Sequence, residues 1–164
     1  VWGRAGEGDV ERRKGRGDCA PVVGGAVAAR AVTFDQTTVT LGAAPAAPVM
    51  VAADRQRLLQ VMGSLLNNAL HATSSGGSVH IRIRKQATTV AVSVIVDGRG
   101  LSREQLDHIF ERLYRVDTAR SRSDGGSGIG LAVSAQLIAA HHGTLRAASD
   151  GIAKGSTFTV TLPC

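Results

Sequence analysis

Two neighbouring stretches constrain this chain more than any other part of it. In Ser78 to Lys85, Val79, Ile81 and Ile83 alternate with His80, Arg82 and Arg84, and in TTVAVSVIV the residues Val90, Val92, Val94 and Val96 fall together. A period of two with apolar residues on one side is a strand with one buried and one wet face. Only the short KQA connection separates the two, which predicts an antiparallel hairpin. A sheet of this kind needs a cover for its apolar face, and the chain supplies helices. From Asp54 to Ala72, Leu58, Val61, Met62, Leu65, Leu66, Ala69 and Leu70 recur three and four apart, the pattern of a helix with one buried face. Asp54 stands where a cap belongs. Ser102 and Gln105 form a capping box for another helix, with Leu101 and Leu106 as its staple. IGLAVSAQLIAA reads as a further helix that Gly143 terminates. TTVTLG and PVMVAA precede the central helix as strands, TLRAAS and STFTVTLP close the chain as strands, and PVVGGAVAARAV is a short helix weakened by its glycine pair. The predicted class is α+β: a two-layer α/β sandwich whose mixed, mainly antiparallel sheet is covered on one face by helices.

Aromatic residues make up only 3% of the 164, so Val, Leu, Ile and Ala must fill the core. Residues 1–30 mix glycine, arginine and acid with little periodicity and are expected to be disordered or a linker, leaving 31–164 as the folded domain. Residues 1–30 carry six basic and four acidic residues, +2 of the +6 net charge, and nucleic acid is not an expected partner. Cys19 and Cys164 have neither metal-ligand nor redox-pair spacing, which fits a reduced, cytoplasmic protein. No apolar run approaches the ~20 residues of a membrane helix, and no secretory signal is evident.

Three features carry candidate chemistry. Asn68 projects into the apolar side of the central helix, where an unpartnered amide costs roughly 1–3 kcal/mol. Two readings stand: a core asparagine bonded to nearby backbone, or a metal ligand whose neutral carbonyl completes a magnesium shell made otherwise of water and phosphate. DGGSGIGLAV, with Gly126, Gly128 and Gly130, leads directly into a helix. It is either a plain glycine-rich loop or a nest of amides for an anion such as a triphosphate. DGRG, Asp97 to Gly100, ends a strand and by itself is a turn. Between Arg115 and Ser127 the chain is polar, basic and rich in Gly and Ser, a length of loop that is usually functional or disordered.

In order and spacing, Asn68 in SLLNNALHAT, Gly98 and Gly100 in VDGRGL, FERLYR from Phe110, DGGSGIGLAV, and then AAHHGT and GSTFTVTLP resemble the ATP-binding domain of bacterial sensor histidine kinases. That family belongs with the Bergerat-type ATPases of gyrase, heat-shock chaperones and mismatch-repair proteins, and the resemblance runs from about Val32 to Pro163. It implies ATP and Mg2+ as cofactors, held between the asparagine helix and a flexible ATP lid over Arg115 to Ser127. Asn68 matches the magnesium-chelating, catalytic asparagine. Gly98 and Gly100 match the first glycine box, with Asp97 beside them. Gly126, Ser127, Gly128, Ile129, Gly130 and Leu131 match the second. His71 matches a basic position near the phosphates, Arg115, Arg120 and Arg122 fall on the lid, and Thr157 is the ATP-binding candidate near the close of the chain. The implied activity is transfer of the γ-phosphate to a histidine on a separate dimerisation domain, expected on another polypeptide, with a response regulator downstream.

The chain departs from the family pattern at three places. Aligned on Gly98 and Gly100, Val96 occupies the place of the aspartate that receives the adenine amine, and Asp97 comes one residue late. Since one residue reverses a strand side chain, either a bulge brings Asp97 inward or adenine recognition is weakened. Ser64 stands where relatives usually carry Asn or an acid, and serine is a poor general base at neutral pH. Ala72 replaces an aromatic that often stacks on adenine. These departures motivate an alternative, a degenerate nucleotide-binding or docking module that regulates a kinase partner without catalysis. All five histidines, His71, His80, His108, His141 and His142, lie within the ATPase-like region, and His141 and His142 are expected to be surface or capping residues at a helix end.

Overall fold

The computed structural model describes residues 15–43, 47–116 and 128–164. The elements run β1 (Gly15–Asp18), α1 (Cys19–Asp35), β2 (Thr40–Ala43), β3 (Met50–Ala53), α2 (Arg55–Ala72), β4 (Ser78–Lys85), β5 (Thr89–Val96), α3 (Arg103–His108), α4 (Gly130–Ala140), β6 (Thr144–Ala148) and β7 (Ser156–Pro163). Five strands form the main sheet in the order β2-β4-β5-β7-β6, antiparallel throughout except for the parallel β2–β4 pair. β1 and β3 make a separate antiparallel pair. This is the expected two-layer sandwich. Its core lies between one face of the sheet, with Val79, Ile81, Val92, Val94, Phe158 and Val160, and the apolar stripe of α2, with Leu58, Val61, Leu65 and Leu66. Those α2 residues are at most 2% exposed, and Asp54 caps their helix by accepting from the amides of Gln56 (2.9 Å) and Arg57 (3.2 Å). The capping box of α3 also forms, with Ser102 and Gln105 each bonding the other's backbone amide.

Among the described residues no helix lies on the other face of the sheet. By the alternation of the strands it presents His80, Arg82 and Arg84 from β4, Ser93 from β5, Thr157, Thr159 and Thr161 from β7, and Arg146 from β6. Arg82, Ser93, Thr159 and Arg146 lie in one row across four strands, and no strand of this sheet contains a carboxylate.

Reading residues 1–30 as disordered or linker does not hold for the part described. Gly15–Asp18 is a strand, and Cys19–Asp35 is one helix of 17 residues rather than a short one. Cys19, Val22, Val23 and Ala26 recur at helical spacing and are buried, with Phe34 two turns beyond. The Asp18 carboxylate accepts from the amides of Ala20 (3.0 Å) and Val49 (2.9 Å), capping the helix and fastening it to the chain that enters β3. Each of Gly24 and Gly25 costs about 1 kcal/mol of helix propensity, and packing against α2 outweighs it.

The end of α4 also differs from expectation. The amides of His142 and Gly143 bond the carbonyls of Ala139 and Ile138, a Schellman arrangement in which His142, not Gly143, takes the left-handed conformation (φ 58°). Gly143 is needed for a different reason: a Cβ there would fall on the carbonyl oxygen of Thr161 in β7. His142→Gly is therefore expected to raise stability by up to about 1 kcal/mol by removing the left-handed penalty. Gly143→Ala should lower it, and urea unfolding of both variants measures the difference.

Candidate functional site

The site is built where α2 and α4 meet. Ser64 on α2 is close to Gly130, the first residue of α4, since a Cβ on Gly130 would lie 2.7 Å from Ser64 Oγ. At the other end, the amide of Asp54, before α2, bonds His141 Nε2, after α4, at 3.0 Å. The two helices are thus antiparallel, and Asn68, one turn beyond Ser64 on the same side, stands level with the glycine segment that precedes α4.

Asn68 is half-buried rather than part of the core, and its carboxamide makes no hydrogen bond among the described residues. The bond to nearby backbone that one reading of the sequence required is therefore absent. Across from it, α4 begins without a side-chain cap, unlike α1, α2 and α3, which have Asp18, Asp54 and Ser102. The first intrahelical bond there is from Val133 to the Ile129 carbonyl, so the amides of the exposed Gly130, of half-buried Leu131 and of Ala132 point out of the helix end. An amide side chain with no bond among the described residues, close along α2 to an uncapped helix start, suits a phosphate chain with a hard cation. Among the described residues no cluster of three His, Cys, Asp or Glu could hold a metal on its own. A cation here would rely on Asn68 together with the ligand.

The floor is set by close backbone packing at the end of β5. Gly98 bridges to Thr73 past the end of α2, and the Arg99 amide bonds the Ala72 carbonyl at 3.0 Å. A Cβ on Gly98 would fall on that same carbonyl oxygen, and one on Gly100 (φ 66°) would fall on the carbonyl oxygen of Gly151. The glycines of DGRG therefore allow one piece of backbone to lie against another. His71, exposed on the last turn of α2, has its Nδ1 2.7 Å from the Asn67 carbonyl, which leaves Nε2 directed away from that bond.

Two of the residues singled out in the sequence face away from this floor. The β4–β5–β7 register is unbroken through Val96, which pairs with Val79 and Ser156, so there is no bulge. Val96 is 2% exposed on the helix-covered side, whereas Asp97, whose amide continues the ladder to the Ser78 carbonyl (2.9 Å), is exposed on the opposite side. Thr157 likewise belongs to the uncovered face of β7. The hydroxyl on the inner side is Ser156, 7% exposed and directly opposite Val96. Sequence reasoning missed Ser156, although its parity with Phe158 and Val160 was available.

The segment after α3 returns to this place. The Leu113 amide donates to the Gly128 carbonyl at 2.9 Å, and Arg115 packs its stem beside Gly128. Ile129 is 38% exposed. Gly126, Ser127, Arg120 and Arg122, and with them most of the expected lid, lie outside the described residues. Just before Leu113, the Glu111 carboxylate is 2.8 Å from His108 Nδ1, and that hydrogen bond raises the imidazole above its usual 6.5.

The comparisons with known proteins agree with this geometry. Residues 53–164 match the family described as histidine kinase-, DNA gyrase B-, and HSP90-like ATPase. The chain belongs to that family. It is 40% identical over 115 residues to the signal transduction histidine-protein kinase BaeS of Escherichia coli K12, covering 70% of this chain and 24% of that kinase. The fold matches the nucleotide-free catalytic domain of the histidine kinase ThkA with a TM-score of 0.79 at 22% identity, covering 92% and 95% of the two chains. Full-length ShkA in complex with AMPPNP matches with a TM-score of 0.78 at 22% identity, over 92% of this chain and 31% of that one. The chain thus spans about a quarter of the length of BaeS, and the residues matched by the family model correspond to its ATPase domain.

Two outcomes follow from the floor and its rim. Gly98→Ala should lower both the melting temperature and nucleotide affinity, because the end of β5 must retreat from α2. His108 should titrate above 6.5 by NMR and fall back in Glu111→Gln. Its raised folded-state value means the pair contributes most below the unfolded value of 6.5 and fades as pH rises through the folded one.

Proposed function

We propose that this domain binds ATP with magnesium between Asn68 and the uncapped start of α4, and that it is the catalytic component of a two-component histidine kinase. The observation that carries the reading is that Asn68, whose carboxamide has no hydrogen bond among the described residues, lies one turn beyond the Ser64–Gly130 contact at the start of α4, which has no side-chain cap. In this reading the amides of the glycine segment, Gly126 to Gly130, orient the phosphates, and Asn68 offers its carbonyl to the cation. When bound, magnesium supplies charge neutralisation on the phosphate oxygens. His71 and Arg115 stand where further positive charge reaches the phosphates. Catalysis of this kind is mostly positioning, and no group here needs to act as a strong base. Ser64, with Gly130 against it, holds the helices together and takes no proton. The acceptor is a histidine on a separate dimerisation domain, on another polypeptide, with a response regulator downstream, in the cytoplasm. Among the described residues no helix is long and apolar enough to cross a membrane.

Val96 favours a second reading, a degenerate module that holds nucleotide poorly and acts by docking to a kinase partner. Calorimetric titration with ATP, with and without Mg2+, separates the two. A catalytic domain binds ATP more tightly with the cation, and Asn68→Ala loses that magnesium-dependent gain. Equal behaviour of Asn68→Ala and the native chain, or no heat at all, ends the catalytic reading. Transfer of label from ATP to an added histidine-bearing dimerisation domain is the direct check of the reaction. Restoring a carboxylate with Val96→Asp is expected to tighten ATP binding by roughly 5- to 150-fold, the value of one buried hydrogen bond.

A further inference from the structure

His141 was expected to be a surface or capping residue; it is the C-cap of α4, and it is buried, 2% exposed. Its ring joins two helices. Nδ1 is 2.6 Å from the Leu137 carbonyl of its own helix, and Nε2 is 3.0 Å from the Asp54 amide, 87 residues away in sequence. A carbonyl only accepts and a backbone amide only donates, so the ring is neutral with its proton on Nδ1. We infer that His141 is a positioning residue for nucleotide binding: it fixes the axial register of α4 against α2, and through it the level at which the glycine segment meets Asn68.

The rest of the contact between these helices lacks such directionality. α4 buries Ala132, Ile138 and one small polar residue, Ser134, and the buried side chains of α2 are all apolar, among them Leu58, Val61, Leu65 and Leu66. Apolar contact of that kind rewards burial and is nearly indifferent to a slide of 1.5 Å, the rise of one residue. A buried donor–acceptor pair is not indifferent, because a slide leaves both of its atoms without partners, and fixing register is the best-attested role of buried polar groups. Asp54 adds to the effect, since the residue whose amide His141 holds also caps α2 with its carboxylate. The antiparallel pair is therefore fixed at Asp54–His141, while its functional end at Ser64–Gly130 relies on close packing alone.

This inference rests on the ATP reading for its functional consequence, so the test has one arm with nucleotide and one without. A glutamine side chain reaches as far as Nε2 and offers an acceptor there. An asparagine stops at the depth of Nδ1. His141→Gln thus keeps the bond between helices and His141→Asn loses it. With Mg2+ and ATP, His141→Asn is expected to weaken binding about tenfold and His141→Gln less than about threefold, the scale set by sub-ångström misplacement of a site. Ile81→Ala, a core change in β4, serves as a destabilised control and should keep its affinity in proportion to the folded fraction. Without nucleotide, the amide resonances of Ser64, Asn68 and Gly130 should move in His141→Asn and stay in place in His141→Gln. Native affinity in His141→Asn, or a loss shared equally by both variants and the control, overturns the proposal. If the native chain binds no ATP, the nucleotide reading falls on its own, and unmoved resonances in His141→Asn then refute the register claim.

Discussion

The site depends on one approach of backbone to backbone, where the end of β5 lies against the last turn of α2 with only a hydrogen atom on Gly98 between them. Everything at the floor follows from that contact. The loop after β6 folds under it, and Ser149 ties the layers together: its Oγ accepts from the Leu101 amide at 3.0 Å and donates to the Gly155 carbonyl at 2.6 Å. Gly155 itself donates to the Gly98 carbonyl. α2 is consequently held at its beginning by Asp54 and at its end by Ala72, and Asn68 sits one turn from the end that is held. A side chain in that position needs little ordering when a ligand arrives, which is how pre-organisation raises affinity without adding contacts.

The hairpin, α2 and the capping box were legible because each is written in local periodicity or in residues three or four apart. α1 was legible as a helix over PVVGGAVAARAV but not in its full length of Cys19 to Asp35, since its stripe of Val22, Val23 and Ala26 is diluted by Ala and by Gly24 and Gly25, and what extends it is tertiary. β3 was read correctly as a strand, but its partner, β1, lay in a stretch assigned to a linker. The role of His141 was invisible for the same reason: its partner is an amide 87 residues away, and no pattern within one helix announces it.

Within the site, the structure sets Gly98 against the end of α2 and Gly130 against Ser64 of the same helix, while Gly126 lies outside the described residues. Parity was foreseen at Asp97, where the sequence left either a bulge or an outward side chain and the unbroken register gives the second, but not at Thr157. Asp97 and Thr157 are each one residue from the inward position, and in a pleated strand that is the difference between two faces. Val96 and Ser156 occupy the inner corner instead, so a site that resembles its relatives in spacing has an apolar floor with a single hydroxyl beside it.

The bare face of the sheet carries a further consequence. A row of strands with no helix over it invites a second copy to stack against it, and a kinase that works as a dimer would hold two such domains at high local concentration. Here the strands of that surface bear three arginines and no acid, with Asp97 just past the end of β5, so two copies meeting face to face bring an excess of like charge together. The repulsion reaches about 8 Å at physiological ionic strength and shrinks as salt is added. Colloidal behaviour of the isolated domain is thereby linked to ionic strength through the face of the sheet that lies away from α2 and α4.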